Sequence, residues 1–297
     1  MTAAQKRRLA DTATVAFCWS AAAGTGLAVL AVMGFLIFRG ADTLGLELFF
    51  GQTHWWDAVT GARPVFDGLW SALAGTLILV VLSCLMAVPV GIAGGIYLSV
   101  YATERFRSVA GFAVDLMAGI PSIVMGLFGF SMIVVLRHAF FPQAKTCLLL
   151  AAVCIALLIL PYLVRTTQNA LSGLPEQLRL LGPSLGFSPW QNTRHILLPS
   201  AGRGVLSGVI LAMGRAAEDT AVILLTGVVA QAFLPRSLWD KFEALPFRIF
   251  YLAAEHRSAA ELDLAFGTAL VLLMLTGALF CLAFLIQRTL EQRWKNQ

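Results

Sequence analysis

Six long apolar runs alternate with polar connections along the chain, at about residues 13–38, 69–100, 110–136, 147–164, 204–230 and 264–287. A helix needs roughly 20 mainly apolar residues to cross the hydrocarbon core of a bilayer, and each run has about that length or more. The strands of a membrane barrel would be short and alternating, so the runs exclude a barrel. The pattern predicts an all-α polytopic membrane helix bundle with six transmembrane helices.

The first run follows a basic segment, Gln5 to Arg8, as the apolar part of a signal peptide would. A cleaved signal has an apolar core of only about 7–15 residues, and this run is longer. We therefore expect a retained helix. The predicted domains are an N-terminal transmembrane helix with an outer loop (1–68), a core of five further spans (69–287) and a C-terminal tail (288–297).

Lysine and arginine residues near the span ends predict the orientation, because they are enriched in cytoplasmic segments. With the N-terminus inside, twelve of them fall in inner segments and eight in outer ones. Nine acidic residues, among them Asp67, Asp240 and Glu243, fall outside. Both termini are therefore expected in the cytoplasm. The same bias accounts for the net charge of +5, so we do not expect a nucleic-acid partner.

Composition agrees with a protein embedded in lipid, since 59 % of the residues are hydrophobic and 12 % are charged. Five cysteines lie in or beside apolar runs, and four histidines are scattered. Neither set has the spacing of a metal or redox motif, so no metal and no cofactor is predicted. A P-loop motif is also absent, so this chain cannot itself hydrolyse ATP by that motif.

Glycine and proline are clustered inside the runs. "VPVGIAGGIYL" contains Pro89 with Gly91 and Gly95, "AGIPSIVMGLFG" contains Pro121, and Pro161 lies in the fourth run. Proline tends to kink membrane helices, and small residues four apart allow helices to approach closely. The pattern predicts kinked, tightly packed helices.

The fifth run has a stripe of small residues, spaced four apart, along which another helix should pack. Its members are Gly204, Gly208, Ala212 and Ala216.

Three charged residues, Arg215, Glu218 and Asp219, follow that stripe inside an otherwise apolar segment. Each costs about 2.5–3.5 kcal/mol at the centre of a bilayer on insertion scales, so they should face protein or water and pair with each other. Spacings of three and four bring all three to one helix face. We interpret them as functional, and a salt bridge that only joins two helices is the alternative.

The inner connection "LGPSLGFSPWQNTRHILLP" differs from the runs because it is polar and rich in glycine and proline. Ser188 to Gln191 fits a capping box with proline at the first helical position. A short helix from about 175 to 182 should precede it, and Gly186 should make the turn between the two. Pro199 is expected to restart the chain into the fifth span. On the outer side, residues 231–262 should contain a short amphipathic helix.

The inner connection resembles the cytoplasmic loop of the permease subunits of ABC importers, Glu-Ala-Ala-x3-Gly-x9-Ile-x-Leu-Pro. Gly186, Ile196, Leu198 and Pro199 match its second half at full spacing. The Glu-Ala-Ala positions hold Leu180, Leu181 and Gly182 instead, and Glu176 lies one turn earlier.

Within the importers, residues 68–285 resemble the phosphate permeases. "GRAAEDTAVILLTG" is similar to the fifth-span motif Arg-Ala-Ile-Gly-Glu-Thr-Ala, with Arg215, Asp219 and Thr220 at matching positions and Glu218 in place of glycine. "IYL", "PSIV" and "LPFRIF" favour the A-type subunit over its C-type partner, and "DLMAGIPSIVMGLFG" adds Asp115 as a pathway or structural candidate.

The resemblance implies a type I ABC importer permease in a bacterial inner membrane that carries phosphate by alternating access, with Arg215, Glu218, Asp219 and Thr220 on the pathway. It implies an inner coupling loop at 165–200, two ATPase subunits, a second phosphate permease and an outer phosphate-binding protein. Sulphate or molybdate remains an alternative substrate. A secondary transporter should show inverted repeats, and a membrane enzyme should show a nucleophile and base, neither of which emerges.

Overall fold

The computed structural model describes residues 3–61, 65 and 68–295, and the side chains of residues 11–61, 65 and 68–289. Within these ranges the fold consists of α-helices joined by short connections, with one isolated bridge between Val228 and Phe242. The helices are α1 (Ala3–Gly40), α2 (Leu46–Phe50), α3 (Trp55–Val59), α4 (Trp70–Ile96), α5 (Glu104–Ala118), α6 (Ser122–Ala139), α7 (Leu148–Ser172), α8 (Glu176–Ser184), α9 (Pro189–Asn192), α10 (Leu198–Glu218), α11 (Thr220–Thr226), α12 (Leu245–Glu255) and α13 (Ala259–Lys295).

Six helical segments of the described chain are long and apolar enough to cross a membrane, which confirms the number and order of the predicted spans. Two of the residues used to predict the orientation, Arg63 and Asp67, lie outside the described residues. The side chains of Lys6, Arg7, Arg8, Arg293 and Lys295 also lie outside them. The six segments are Asp11–Thr43, Trp70–Tyr101, Ser122–Ala139, Leu148–Ser172, Pro189–Glu218 and Ala259–Thr289.

Helix α7 lies at the centre of the bundle. In its most apolar stretch of 18 residues, 67 % of the residues are buried, whereas 0 % are buried in the corresponding stretch of α1. It packs between α4 and α10, as the small-residue positions predict. On α4, Gly91 contacts the side chain of Leu163. On α10, a Cβ added at Gly204 would lie 2.6 Å from the Cβ of Ala170, and Gly208 contacts Thr166. The backbones therefore approach too closely for larger side chains.

The third span differs from its prediction. One kinked helix over residues 110–136 was expected, and this prediction is wrong. The chain instead forms α5, a break at Gly119–Pro121, and then α6. Pro121 has φ −58° and ψ 137°, so it stands before the first turn of α6 and not in the middle of a helix. Hydropathy alone does not distinguish a kink from a break, since both leave an apolar run intact.

The fifth span also differs from its prediction. A continuous helix over residues 204–230 was expected, and this prediction is wrong. Helix α10 ends at Glu218, Asp219 is extended with ψ 108°, and α11 begins at Thr220. At its inner end the span begins earlier than expected. A π-helical turn, Thr193–Leu197, joins α9 directly to α10, so Pro199 does not restart the chain.

The outer connection after α11 forms an extended segment followed by α12, which lies within the predicted range 231–262. This outer connection covers the outer end of α7, the central helix. The N–H of Leu148 donates to the carbonyl of Asp240 at 2.9 Å, and the N–H of Leu149 donates to the carbonyl of Leu238 at 2.9 Å. Because the first N–H groups of a helix lack partners within it, these bonds anchor the outer connection on α7.

Candidate functional site

Asp219 is the N-cap of α11 at the break in the fifth span. Its Oδ1 accepts a hydrogen bond from the N–H of Val222 at 2.9 Å, and only 8 % of the residue is exposed. Aspartate is favoured at this position because its short side chain satisfies an N–H group that the helix leaves free. Asp219 thus has a structural task beside any task in transport.

Arg215 forms a long ion pair with Asp219. Its Nη2 lies 3.8 Å from Asp219 Oδ2, which exceeds a hydrogen-bond distance. The Arg215 side chain is 49 % exposed, whereas that of Asp219 is 4 % exposed. The carboxylate is therefore held by α11 while the guanidinium keeps donors that another acceptor can use.

Arg215 and Glu218 line one cavity of about 270 Å³ beside α10. Phe280 of α13 forms part of the wall, and its ring lies against Gly214, where a Cβ would come within 2.5 Å of the ring. Thr220 is half-buried and, like Asp219, does not line this cavity. The structure thus brings one cation and one carboxylate to a shared opening, and the other lining residues are Tyr162, Leu211, Ala212 and Gly214.

Asp115 lies apart from that cavity and is held by Arg165. The guanidinium donates to both carboxylate oxygens, at 2.7 Å to Oδ1 and 2.5 Å to Oδ2. It also donates to the Gly111 carbonyl at 2.7 Å and to Gln168 at 2.8 Å. Two parallel bonds make this a bidentate ion pair, and it joins α5 to α7.

The inner connection forms two short helices, as predicted. Ser188 and Gln191 make the capping box, with the Ser188 side chain accepting from the Gln191 N–H at 3.3 Å and Gln191 Oε1 accepting from the Ser188 N–H at 2.8 Å. Gly186 has φ +76°, which turns the chain between α8 and α9. Local sequence determines both features, because their partners lie within three residues.

The matched motif positions of this connection differ in exposure. Gly186 and Glu176 are exposed, with Glu176 in the first turn of α8, whereas Ile196, Leu198 and Pro199 are half-buried. Large apolar side chains are exposed on the same two helices, and they include Leu180 at 55 % and Trp190 at 61 %. The surface around the turn is therefore apolar where the family pattern carries an acid.

A buried ion pair, Glu243 and Arg248, was not among the predicted site residues. Arg248 Nη1 donates to Glu243 Oε1 at 2.9 Å, and the Glu243 side chain is only 2 % exposed. Burial raises the pKa of the Glu243 carboxyl, and the charge of Arg248 partly opposes that rise. The signal in the sequence was the apolar surroundings of both charges in "FEALPFRIF", which is unusual for an exposed loop.

The sequence and structure are similar to those of transport proteins. A family model described as "Binding-protein-dependent transport system inner membrane component" matches residues 87–296. The "Phosphate transport system permease protein PstA" of Haemophilus influenzae is 34 % identical over 220 residues, which cover 74 % of this chain and 73 % of the relative. The PstA of Pasteurella multocida is 31 % identical over 256 residues, which cover 86 % of each chain.

Solved ABC transporters share the fold at lower identity. A chain of a bacterial transporter that imports the acidic polysaccharide alginate has a TM-score of 0.59 at 16 % identity, covering 89 % of this chain and 94 % of its own. A chain of the MetNI methionine transporter in an inward-facing conformation has a TM-score of 0.55 at 19 % identity, covering 80 % and 99 %. This confirms the predicted importer permease topology. The chain therefore belongs to the family of binding-protein-dependent transport system inner membrane components, and it is a multi-pass protein of the inner membrane.

Proposed function

We propose that this chain is the A-type permease subunit of an ABC importer for inorganic phosphate, with Arg215 on the substrate path. The observation that carries the proposal is the guanidinium of Arg215, half-exposed beside a cavity in the fifth membrane span. A charge in a membrane span is costly unless it has a task or a partner, and Asp219 is a distant partner at 3.8 Å. Relatives named as phosphate permeases support the choice of substrate.

The chemistry of Arg215 suits phosphate. Its planar fork of donors matches the oxygens of an oxyanion and stays charged whatever its surroundings. Glu218, on the same cavity, can accept a hydrogen bond from the proton of HPO4(2−), a contact that fully ionised sulphate cannot offer. The nearby carboxylates also weaken the hold on an anion, so that phosphate can leave on the inner side.

The proposed assembly has two ATPase subunits on the cytoplasmic side, a second phosphate permease beside residues 69–287, and an outer phosphate-binding protein. Both termini lie in the cytoplasm, so the turn between α8 and α9 faces the ATPase. That turn is rigid, since a capping box and a positive-φ glycine fix it, and it exposes apolar side chains to a partner. Closure of the ATPase would move the turn and, through α10, the cavity at Arg215.

The test is phosphate uptake by proteoliposomes that contain the complete complex with Arg215→Ala or Arg215→Lys. We expect both variants to assemble with the ATPase and to lose phosphate uptake, because lysine cannot replace a two-pronged contact. Arg105→Ala is the matched control, since Arg105 is an exposed arginine on α5 away from the cavity. Assembled Arg215→Ala complexes that transport phosphate at an ordinary rate would remove Arg215 from the path.

Two other outcomes would change the proposal. Uptake of labelled sulphate or molybdate in preference to phosphate would assign a different oxyanion to the same site. Uptake that continues without an ATPase subunit, driven by an ion gradient, would indicate a secondary transporter instead. If Arg215 only joined α10 to its neighbours, Arg215→Ala would lower the protein level, since a buried carboxylate without its partner costs about 3–5 kcal/mol.

A further inference from the structure

The side chain of Asn192 occupies the place where a residue larger than glycine at position 182 would put its Cβ. A Cβ added at Gly182 would lie 2.5 Å from Asn192 Cγ and 2.8 Å from its Cβ. Both residues are buried, with Asn192 only 7 % exposed, although most of their neighbours in the two short helices are exposed. Gly182 stands where the importer pattern has alanine, so this contact accounts for part of the departure from that pattern.

Asn192 also links the two short helices to the central helix by hydrogen bonds. Its Nδ2 donates to the carbonyl of Arg179 in α8 at 3.1 Å. The Nη2 of Arg179 in turn donates to the carbonyl of Leu171 at 2.7 Å, and Leu171 lies buried in the last turn of α7. A continuous series of contacts therefore runs from α9 through α8 to the most buried helix of the bundle.

Other links between the two short helices and the transmembrane helices do not involve the Asn192 side chain. The chain itself continues from α9 through the π-helical turn into α10, and at the other end α8 follows α7 after residues 173–175. The hydroxyls of Thr193 and Tyr101 lie 3.4 Å apart, at the outer limit of hydrogen bonding, and this contact reaches the π-helical segment Tyr97–Tyr101 that follows α4. Asn192 thus provides the hydrogen-bonded route to α7, which contacts both α4 and α10.

We infer that Asn192 is a positioning residue that transmits movement of the α8–α9 turn to α7. The inference rests on the proposed function, because it assumes that an ATPase moves this turn. Packing alone does not explain an asparagine here. Its Oδ1 is buried without a hydrogen-bond donor among the described residues, which costs free energy that an apolar side chain would not. The amide is useful at this position for its bond to Arg179.

Three variants separate the hydrogen bond from the steric fit. Asn192→Ala removes the bond and leaves space, Gly182→Ala forces the added methyl against the amide, and Gly182→Ala with Asn192→Ala relieves that clash without restoring the bond. Gln143→Ala is the control, since it removes an exposed amide side chain from the connection between α6 and α7, outside the coupling loop. The readouts are phosphate transported per ATP hydrolysed by the complete complex and hydrogen–deuterium exchange of the purified permease without its ATPase.

We expect the amount of phosphate transported per ATP hydrolysed to fall about two- to thirtyfold in Asn192→Ala. This is the range for mutations that change the coupling between two sites. The double variant should match Asn192→Ala, and Gln143→Ala should match the wild type. In the isolated permease, exchange of residues 176–185 should rise about fivefold in Asn192→Ala, the factor for one net hydrogen bond. The ATPase should still co-purify with every variant, because the exposed surface of the turn is unchanged.

Recovery of the wild-type ratio in the double variant would overturn the inference and leave packing as the role of Asn192. An unchanged ratio or an unchanged exchange rate in Asn192→Ala would overturn it as well. Failure of the proposed function looks different, because then the wild-type permease would not bind an ATPase at all. The exchange measurement uses the permease alone, so it still decides in that case whether Asn192 ties the turn to α7.

Discussion

The carboxylate of Glu243 and the guanidinium of Arg248 meet at 2.9 Å where the outer connection becomes buried and α12 begins. Their side chains are 2 % and 12 % exposed. The carbonyl of Glu243 contacts Gly75 of α4, and the N–H of Leu245 donates to Thr76 Oγ1 at 2.9 Å. These backbone contacts bind the segment to α4, and we expect the ion pair to stabilise the segment at the start of α12.

Removal of one partner should show this role through its pH dependence. We expect Arg248→Met to lower the free energy of unfolding by about 3–5 kcal/mol at neutral pH, because it leaves a buried carboxylate unpaired. Burial already raises the pKa of Glu243 above its ordinary value of 4.5, so the folded state binds the proton more tightly than the unfolded state. The contribution of this group to stability therefore increases as the pH falls toward 4.5.

The measurement is the thermal unfolding midpoint of the purified protein in detergent at pH 7 and pH 5. The deficit of Arg248→Met relative to the wild type should shrink at pH 5, where the carboxyl can be neutral. The deficit of Glu243→Gln with Arg248→Met should not shrink at pH 5, because this variant has no carboxyl at position 243 to be neutralised. A deficit of Arg248→Met that grows on acidification would contradict the assignment.

Close packing of α10 on α7 leads to a second prediction. Gly208→Ala would place a methyl group against Thr166, and overpacking of this kind costs about 1–3 kcal/mol. Gly277→Ala on α13 is the matched control, since nothing lies within 4 Å of the added Cβ. The control should keep or raise the unfolding midpoint, because alanine favours a helix by about 0.8–1.0 kcal/mol over glycine. Equal midpoints for the two variants would show that the small residues of α10 do not determine this contact.

We expect Asp115 to have a structural role and not to lie on the substrate pathway. We expect Asp115→Asn to lower stability by about 1 kcal/mol, a small effect because the pair with Arg165 is partly exposed. The KM for phosphate uptake should stay at the wild-type value, since Asp115 lies outside the cavity that Arg215 lines. Uptake kinetics of the complete complex test this, and a KM that changes severalfold at unchanged protein level would return Asp115 to the pathway.

The sequence predicted the six spans and the inner turn because the signals are local. Hydropathy reports span number, and the capping box at Ser188 and the turn at Gly186 depend on residues within one helical turn. The breaks at Pro121 and Asp219 were not predicted, since an apolar run looks the same whether its helix is whole or divided. Contacts such as Gly182 with Asn192 depend on how α8 and α9 fold onto each other. Without that geometry, the glycine at position 182 can be recognised only as a difference from the alanine of the importer motif.

Asp219 has two tasks that different substitutions separate. Asp219→Asn keeps an oxygen that can accept from the N–H of Val222, so the cap of α11 and the unfolding midpoint should stay close to the wild type. Asp219→Ala removes the cap and should cost about 0.5–2 kcal/mol. In both variants Arg215 loses the charge of Asp219, although Glu218 remains, and should hold phosphate more tightly. Uptake assays should then give a lower KM and a lower maximal rate, and an unchanged KM in Asp219→Asn would limit Asp219 to its capping role.

Gly186 provides the sharpest test of the inner turn, because its backbone and its surroundings make different demands. Its φ of +76° is unfavourable for residues with a Cβ, yet nothing lies within 4 Å of an added Cβ. Two bonds close the turn here, from the N–H of Gly186 to the Pro183 carbonyl and from the N–H of Phe187 to the Gly182 carbonyl, both at 3.0 Å. Within the permease itself, a substitution therefore acts through backbone strain alone.

We expect Gly186→Val to strain or reshape the turn, since a left-handed conformation costs an ordinary residue about 1–2 kcal/mol and a β-branched residue is least suited to it. Phosphate uptake by the complete complex should fall sharply while membrane insertion and protein level stay unchanged. Gly186→Asn is the matched control, because asparagine adopts positive φ more readily, and it should retain most of the uptake. Wild-type uptake in Gly186→Val would show that the turn does not transmit the action of the ATPase. Equal losses in both variants would show that the bare surface of the glycine, and not its conformation, is what the partner requires.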